Sequence, residues 1–376
     1  MKRSDIARLR LHNQRLSCAS FRTPAEVVRW FGAMQSQDLA GSLLAIGLRM
    51  RSATEARVEQ AIDDGSIVRT WPMRRTIHCM AAEDARWMIR LLAPRGIVRM
   101  QPYHRTMGIT EEHLTRAGKV LESVLARRKR LTRTELYQHL DADGIPIDAP
   151  PRGPMRGSHI LVHWAQAGLI CMAARKGKQP TFALLEDWTP RGRDFSGDEA
   201  LVELASMYFR THAPATTKDF AWWSSLPMAD AKRAVQVAGD LLQPARVDGV
   251  EYWLMRSALA APPGPLPLLL LPPFDEYTVA YADRSVAAEA SVLGSASHGL
   301  APNILIDGRI AGTWKRTLVG DAVAVVPHLL RILTKKEQTA LDKAAERYAA
   351  FLGRKLAVRD ATRKPRAGSN KGQTQR

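Results

Sequence analysis

The chain has 376 residues, a length that indicates two or three domains. Hydrophobic residues make up 45% and charged residues 24%, a mixture typical of a folded globular protein. No apolar run approaches the roughly 20 residues of a membrane span, and the N-terminus lacks the apolar core of a signal peptide. We therefore expect a cytoplasmic protein without a membrane partner. Cys18, Cys79 and Cys171 are far apart and odd in number, which argues against a disulfide framework or a cysteine zinc site.

The charge of the chain is strongly positive. Lysine and arginine total 55 against 37 acidic residues, a formal net charge of +18, which indicates a polyanionic partner such as nucleic acid. Residues 354–376 hold eight basic residues and one acidic residue, and we expect them to form a disordered tail. That tail contributes +7, so the remaining +11 lies in the folded part and the tail alone does not explain the charge.

The first third of the chain begins with helical signals. Residues 23–26, TPAE, form a capping box, and the apolar face that follows predicts a helix ending close to Gln35. A second helix is predicted over residues 55–64. Residues 66–80 are typical of two short strands with Pro72 between them.

The same order of elements returns in the middle of the chain. Residues 111–128 place apolar side chains on one helical face, and a capping box at Thr132 opens a short helix. A third helix is predicted over residues 157–167. Residues 169–185 then indicate a hairpin, whose tip carries Arg175, Lys176 and Lys178.

A third copy of the order follows. Apolar residues from Ala200 to Tyr208 indicate one helix, Thr217 is predicted to cap a second, and residues 228–239 form a third. Asp248-Gly249 then predicts a hairpin with a type I′ turn. Three helices followed by a two-stranded hairpin is the order of a winged helix, and three such units on a basic chain favour tandem DNA-binding modules.

The resulting prediction is an α+β chain of three tandem winged-helix (helix-turn-helix) modules and a small C-terminal β-rich domain. That last domain contains a buried strand in PLPLLLLPPFDEY, a hairpin turned at Asp307-Gly308, and a closing helix that begins at Thr334. The predicted boundaries are 1–106, 107–195, 196–256 and 257–353, followed by the tail at 354–376.

Several common catalytic motifs are missing from the sequence. There is no P-loop, no GxGxxG after a strand and no zinc deaminase signature. His159 and His163 have the spacing of a zinc pair, but Ile160 breaks the HExxH motif, so two polar positions on a helix are the better interpretation. Asp275-Glu276 follows a buried strand into a loop, where capping and salt bridges are expected more often than catalysis.

The stretch AMQSQDLAGSLLAIGLR, residues 33–49, is the most unusual in the chain. Gln35 and Gln37 flank Ser36 just before an apolar run, where they could simply satisfy backbone groups at a helix end. However, the stretch resembles the QxQ segment of the AlkZ/YcaQ family of bacterial winged-helix DNA glycosylases. Five further segments resemble the family in the same order: RTWPMRRTIHCMAAEDARWM, GLICMAARKGKQPTFAL, THAPATTKDFAWWSSL, LLPPFDEYTVAYADRS and DGRIAGTWKR.

The resemblance implies a chain that wraps as a C shape around duplex DNA, and it favours a monomer. We expect no cofactor and no metal. It implies removal of N7- or N3-alkylated purines and, in some members, the unhooking of interstrand crosslinks. The AlkZ-like branch uses two glutamines, which match Gln35 and Gln37, whereas the residue between them is usually apolar and here is Ser36. His12 corresponds loosely to a further position near the site. A bacterial DNA-repair enzyme of this kind would be associated with the nucleoid.

Two neutral amides can suit this chemistry. An N7-alkylpurine already carries a positive charge and leaves as a neutral base, so no strong general acid is required. A glutamine carbonyl can accept a hydrogen bond from the attacking water, and its dipole can face the cationic sugar. Asp38 remains an alternative general base. A non-catalytic winged-helix regulator or damage-binding protein remains the alternative function.

Basic residues of the matching segments are the predicted DNA contacts. The hairpin tip is the main candidate, although a solvated tip is an equally reasonable interpretation. The predicted set is Arg69, Arg74, Arg75, Arg175, Lys176, Lys178, Lys315 and Arg316.

Overall fold

A computed structural model of the chain describes residues 2–148, 155–189, 192–257, 264–288 and 300–357. Most of the predicted basic tail therefore lies outside the described residues. The predicted start of that tail at residue 354 is wrong, because Lys355–Leu356 forms a short strand that pairs in parallel with a strand of the C-terminal sheet.

The N-terminal part combines six helices with three strands. The helix predicted to end close to Gln35 ends at Phe31 instead, because Gly32 has a φ of +76°, which is outside the helical range. The apolar run after the glutamines, for which no element was predicted, is also a helix. The elements are α1 (Arg3–Asn13), α2 (Pro24–Phe31), β1 (Ala33–Gln35), α3 (Leu39–Gly47), α4 (Glu55–Asp63), β2 (Ile67–Met73), β3 (Thr76–Ala81), α5 (Ala85–Leu92) and α6 (Pro94–Thr106).

The middle part follows the predicted order of helices and hairpin. Its helices α7 and α8 are each preceded by a capping threonine, Thr110 and Thr132, whose side chain accepts from a backbone N–H three residues on. The elements are α7 (Glu111–Leu125), β4 (Leu131–Thr132), α8 (Arg133–Ala142), α9 (Met155–Gln166), β5 (Ile170–Lys176), β6 (Gln179–Leu184) and α10 (Leu185–Trp188).

The last two parts contain the predicted hairpins. Asp248 and Asp307 have positive φ, as do the glycines after them, which confirms the two Asp-Gly turns. The second helix of the third unit is capped by Thr216 rather than Thr217. The elements are α11 (Gly197–His212), α12 (Thr217–Ser224), α13 (Met228–Ala238), β7 (Leu242–Val247), β8 (Val250–Met255), β9 (Leu269–Leu271), α14 (Glu276–Val279), β10 (Asn303–Ile306), β11 (Arg309–Val319), β12 (Ala322–Leu329), α15 (Lys335–Phe351) and β13 (Lys355–Leu356).

The first two hairpins are parts of one sheet. Six strands are ordered β1-β3-β2-β5-β6-β4, and β2 of the first hairpin pairs antiparallel with β5 of the second at Arg69 and Met172. The hairpin β7-β8 is separate, and the C-terminal strands form a five-stranded sheet ordered β13-β12-β11-β10-β9. The two wings predicted for the first two modules are therefore joined edge to edge.

The hydrophobic cores are shared between the parts of the chain. One core joins β1 and α5 to α11, α12 and Tyr281, and a second joins α2 and α3 to the C-terminal sheet and α15. Close packing of α3 on the C-terminal part requires glycine, because a Cβ at Gly41 would lie 3.1 Å from Pro273 and one at Gly47 would lie 2.5 Å from Phe351. Within the described ranges, no helix is both long and apolar enough to cross a membrane.

Candidate active site

The glutamine segment lies at the edge of the six-stranded sheet. β1 pairs antiparallel with β3, with Gln35 opposite His78, and the extended chain continues because the Ser36 N–H donates to Ile77 O at 2.7 Å. β1 ends at Gln35, and the chain bends at Gln37 just before Asp38, the N-cap of α3. Gln35 is therefore the last residue of an edge strand, and neither glutamine caps a helix.

Ser36 is buried and held by an arginine. Arg69 Nε donates to Ser36 Oγ at 2.9 Å, and Arg69 Nη2 donates to Ser36 O at the same distance. Ser36 Oγ in turn donates to Ser42 Oγ at 2.9 Å, and that hydroxyl donates to Leu39 O. The polar side chain of Ser36 is therefore explained by the buried guanidinium of Arg69, which needs a hydrogen-bond acceptor.

Gln35 lines a cavity of about 670 Å³. Its side-chain oxygen is buried and has no hydrogen-bond partner among the described residues. Buried amide oxygens are usually satisfied, so this oxygen is an unused acceptor on a residue that lines the cavity. Gln35 is the predicted catalytic residue that the structure places in a cavity.

The same cavity is lined by five arginines and two aromatic side chains. Arg95 forms an ion pair with Asp230, whereas Arg75, Arg99 and Arg284 form none within the described part of the chain. Arg75 lies over the ring of Tyr103, 5.4 Å from its centroid, and Trp222 is about half exposed. The cavity therefore offers cations and flat rings beside Gln35. The full set is Arg74, Arg75, Arg95, Arg99, Arg284, Tyr103 and Trp222.

Glu276 lies behind Gln35. The Gln35 backbone N–H donates to Glu276 Oε1 at 2.7 Å, and Trp223 Nε1 donates to Glu276 Oε2 at 3.2 Å. Burial alone would raise the pKa of Glu276, but contact with His212 and the nearby charge of Arg74 outweigh burial and lower that pKa to about 2. Burial lowers the pKa of His212 itself, so that imidazole is neutral at neutral pH and the positive charge comes from Arg74.

Arg74 connects this buried group to the cavity wall. Arg74 Nη2 lies 2.9 Å from His78 Nε2, while His78 Nδ1 lies 2.9 Å from Thr76 O. The ring therefore donates from Nδ1 and accepts the guanidinium at Nε2. Burial, followed by the charge of Arg74, lowers the pKa of His78 to about 3, which keeps this acceptor neutral.

Gln37 and Asp38 are exposed and bonded locally. Gln37 Oε1 accepts from the Ile77 N–H at 3.2 Å, so this side chain is bonded to the backbone of β3 and is not among the residues lining the cavity. Asp38 is the N-cap of α3, and its carboxylate accepts from the Gly41 N–H at 2.5 Å. Asp38 therefore stabilises the start of α3, and it would have to give up this hydrogen bond to act as a general base.

The other predicted site residues are spread over the molecule. His12 lies on α1, and no contact with either glutamine is present in the described ranges; burial, with the charge of Arg15, lowers its pKa. Arg69 is buried against Ser36, which leaves its guanidinium unavailable for the predicted phosphate contact. Arg74 is bonded to His78, and Arg75 is exposed at the cavity.

At the hairpin tip, Arg175 is ion-paired with Glu59 of α4, so the predicted DNA contact would have to break that pair. Lys176 contacts Glu135, whereas Lys178 is exposed and forms no ion pair within the part of the chain described. On β11, Lys315 is exposed and Arg316 donates to the Tyr348 hydroxyl at 3.1 Å.

Some site residues were not predicted from the sequence. Asp275 and Glu276 were both expected to serve in capping or salt bridges. Asp275 does so, because it caps α14 and accepts from Arg49 through both oxygens. Glu276 instead contacts the backbone of Gln35. Arg95, Arg99 and Tyr103 recur every four residues along α6, a spacing that places all three on one helical face and could have indicated them.

The histidine pair of α9 meets a third imidazole. His104 packs against His159 and His163 with ring centroids 5.9 and 5.8 Å away. Over the described ranges, no group of three or more histidine, cysteine or acidic side chains has an arrangement that could hold a metal ion.

Comparison with known proteins defines the class of this fold. The solved structure of Streptomyces sahachiroi DNA glycosylase AlkZ superposes with a TM-score of 0.76 and 24% sequence identity, covering 96% of this chain and 99% of that one. The mixed α+β fold is therefore that of this glycosylase structure.

The family follows from the sequence. Residues 28–351 match the family model described as DNA glycosylase AlkZ-like. A protein of Streptomyces sahachiroi, "Interstrand DNA cross-link repair glycosylase", is 25% identical over 368 residues, which cover 93% of this chain and 95% of that protein. The chain belongs to the AlkZ-like DNA glycosylase family.

Proposed function

We propose that the protein is a monofunctional DNA glycosylase that hydrolyses the N-glycosidic bond of N7-alkylguanine or N3-alkyladenine in duplex DNA. The observation that carries the proposal is that the buried side-chain oxygen of Gln35, a residue lining an arginine-rich cavity, has no hydrogen-bond partner in the described part of the chain. Family membership supports the reaction class, and the net charge of +18 supports the polyanionic substrate.

The cavity has room and chemistry for a nucleotide taken out of the base stack. Enzymes that act on a base in a duplex usually extrude it, because the reacting bond is otherwise inaccessible. Tyr103 and Trp222 are flat surfaces for the base, and Arg75, Arg99 and Arg284 can bind the flanking phosphates. Its lining includes no lysine within the described residues, so no amine is on hand for the covalent intermediate of a lyase.

The proposed reaction uses the charge of the lesion. The bond between C1′ and the base nitrogen breaks, and its electron pair neutralises the cationic purine, which leaves without protonation. Water attacks C1′, the side-chain oxygen of Gln35 accepts a hydrogen bond from that water, and the water proton passes to solvent. The products are a neutral alkylpurine and an abasic site.

Gln37 is proposed to orient the same water once DNA is bound. In the structure its oxygen accepts from the backbone of Ile77, an exposed bond that would have to break before Gln37 could reach that water. The name of the Streptomyces sahachiroi relative, an interstrand DNA cross-link repair glycosylase, supports a finer proposal, that a crosslinked base is also a substrate.

The experiment is base release from a duplex with one N7-methylguanine, followed by chromatography of the free base. We expect release by the wild type and a loss of about 10²–10³ in Gln35→Ala, the usual cost of removing one preorganised polar group. Gln60→Ala is the matched control, because Gln60 is exposed on α4. Tight duplex binding without release by the wild type would favour the alternative, a regulator or damage-binding protein.

The crosslink proposal needs its own substrate. A duplex joined through two N7-alkylguanines should be converted by the wild type to separable strands on a denaturing gel. Release of N7-methylguanine without strand separation would restrict the activity to monoadducts.

A further inference from the structure

Four carboxylates are at most 1% exposed in the described part of the chain: Asp84, Asp219, Asp275 and Glu276. Three of them contact an arginine, with the shortest nitrogen–oxygen distances 2.7 Å for Asp84, 3.8 Å for Asp219 and 2.9 Å for Asp275. Glu276 contacts no arginine within 4 Å in that same part. A buried carboxylate without a contacting cation is costly, which indicates a use other than stability.

The two oxygens of Glu276 meet neutral donors. One accepts from the Gln35 backbone and the other from the Trp223 indole, while the neutral ring of His212 lies 3.5 Å away. These contacts connect three distant parts of the chain at the end of β1. Arg74 supplies a nearby positive charge but no direct contact, so the carboxylate of Glu276 lies immediately behind the residue that lines the cavity without a contacting cation.

The proposed reaction needs such a charge. Its transition state develops positive charge on the sugar, and the cavity is lined by five arginines and, within the described residues, no acid. Two glutamines contribute dipoles but no charge. Because electrostatic interactions weaken little across a dry protein interior, a carboxylate behind Gln35 can offset the arginines at the reacting sugar.

We propose that Glu276 is a positioning residue of this site: it fixes the end of β1 so that Gln35 faces the cavity, and it holds a negative charge behind the cationic sugar. The inference rests on the proposed glycosylase function. Glu276 does not line the cavity. It acts indirectly, through the position of Gln35 and through its own negative charge.

The test compares two carboxylate-to-amide changes in buried sites. Glu276→Gln retains an oxygen for the Gln35 N–H but loses the charge, and Asp84→Asn makes the same change beside Arg193, away from the cavity. The assay is single-turnover release of N7-methylguanine from duplex DNA at saturating enzyme. Affinity for the same duplex and the melting temperature are measured in parallel.

We expect Glu276→Gln to slow release by about 10- to 100-fold, or about 1.4–2.7 kcal/mol, without a change in DNA affinity. Asp84→Asn should lower the melting temperature without changing the rate of release. A merely structural Glu276 would behave as Asp84 does, and an unchanged rate in Glu276→Gln would overturn the inference while leaving the proposed function intact. Absence of release by the wild type would overturn both.

A second variant tests the inference if Glu276→Gln does not fold. Glu276→Asp keeps the charge in the core but withdraws it from the Gln35 N–H by one methylene. Release should slow by at least threefold with unchanged DNA affinity, and an unaltered rate in this variant would equally overturn the inference.

Discussion

Arg69 holds Ser36 at two points, since its Nε and Nη2 atoms donate to the hydroxyl and to the carbonyl of the same residue. Burial lowers the pKa of Arg69, as expected for a cation removed from water. The serine between the glutamines and the arginine on β2 therefore depend on each other. A substitution at either one leaves a buried polar group without its partner.

Ser36→Val should accordingly destabilise the protein. The change removes an acceptor from a buried guanidinium, and a lost hydrogen bond to a charged group costs about 2–3 kcal/mol. Denaturant unfolding measures the change, with Ser42→Ala as the control because it removes a contact of the same chain of hydroxyls but none to Arg69. Equal losses in the two variants would show that the bond to Arg69 contributes little.

The two glutamines should be separable by substitution with a carboxylate. Gln37→Ala should slow base release by about 10²–10³ with little change in duplex affinity. In Gln37→Glu, substantial activity should survive, because a carboxylate also favours a cationic sugar. That activity should fall as pH drops through about 4.3, the ordinary pKa of glutamate, whereas the rate of the parent should stay flat there. Full activity of Gln37→Ala would restrict the chemistry to Gln35.

The role of Asp38 can be tested with a substitution that keeps the helix cap. Serine caps helices about as well as aspartate but cannot act as a carboxylate base. Asp38→Ser should keep base release, and Asp38→Ala should lose about 1 kcal/mol of stability through the lost cap. If Asp38→Ser is folded but inactive, Asp38 is the general base and the glutamines have a lesser part.

The basic residues of the β5–β6 hairpin should differ in how they affect DNA binding. Each phosphate contact contributes about 0.9 to the slope of log affinity against log salt. Lys178→Ala should reduce the slope by about that amount, whereas Arg175→Ala should mainly lower the melting temperature because it breaks the pair with Glu59. Deleting residues 359–376 should weaken low-salt binding only partly. Complete loss on deletion would locate the DNA interface in the tail.

Mild acid should destabilise the protein through His78. Burial first, and then Arg74, lowers the pKa of His78 to about 3, so between pH 7.5 and 5.5 the unfolded chain binds a proton there and the folded chain does not. Because the folded chain keeps His78 neutral, the free energy of unfolding falls by about 1.4 kcal/mol between pH 7.5 and pH 5.5. Chemical denaturation at the two pH values measures the loss, and His78→Gln should reduce it by this amount. An unchanged loss would show that His78 does not contribute.

Local signals in the sequence predicted most helices and hairpins correctly. Capping boxes such as Thr132-Arg-Thr-Glu135 and turns such as Asp307-Gly308 depend on only a few neighbouring residues, so they can be recognised from the sequence alone. The end of α2 was misplaced although Gly32, a residue type common just past a helix end, was a local signal for it. The first two wings were expected to be separate because strand pairing between Arg69 and Met172 has no local signature.

The candidate site was predictable only in part for the same reason. The resemblance to the family indicated Gln35, but the contact of its backbone with Glu276 joins residues 241 positions apart. Arg69 was predicted to contact DNA because it is a basic residue of a segment that resembles the family. It is buried because Ser36, 33 positions away, offers it an acceptor.

The joined sheet sets a fixed distance between recognition and chemistry. Strands β1, β3, β2 and β5 are consecutive, so three spacings of about 4.8 Å place the strand that leads to Lys178 about 14 Å across the sheet from the strand that ends in Gln35. Lys178 also lies six residues beyond Met172, the residue of β5 that pairs with β2, which adds about 20 Å along the strand direction. If the protein is the proposed glycosylase, the rigid sheet keeps the hairpin and Gln35 at a constant separation. A phosphate bound at the hairpin then determines which nucleotide lies at Gln35, and the enzyme searches for damage by moving along the duplex as one rigid unit.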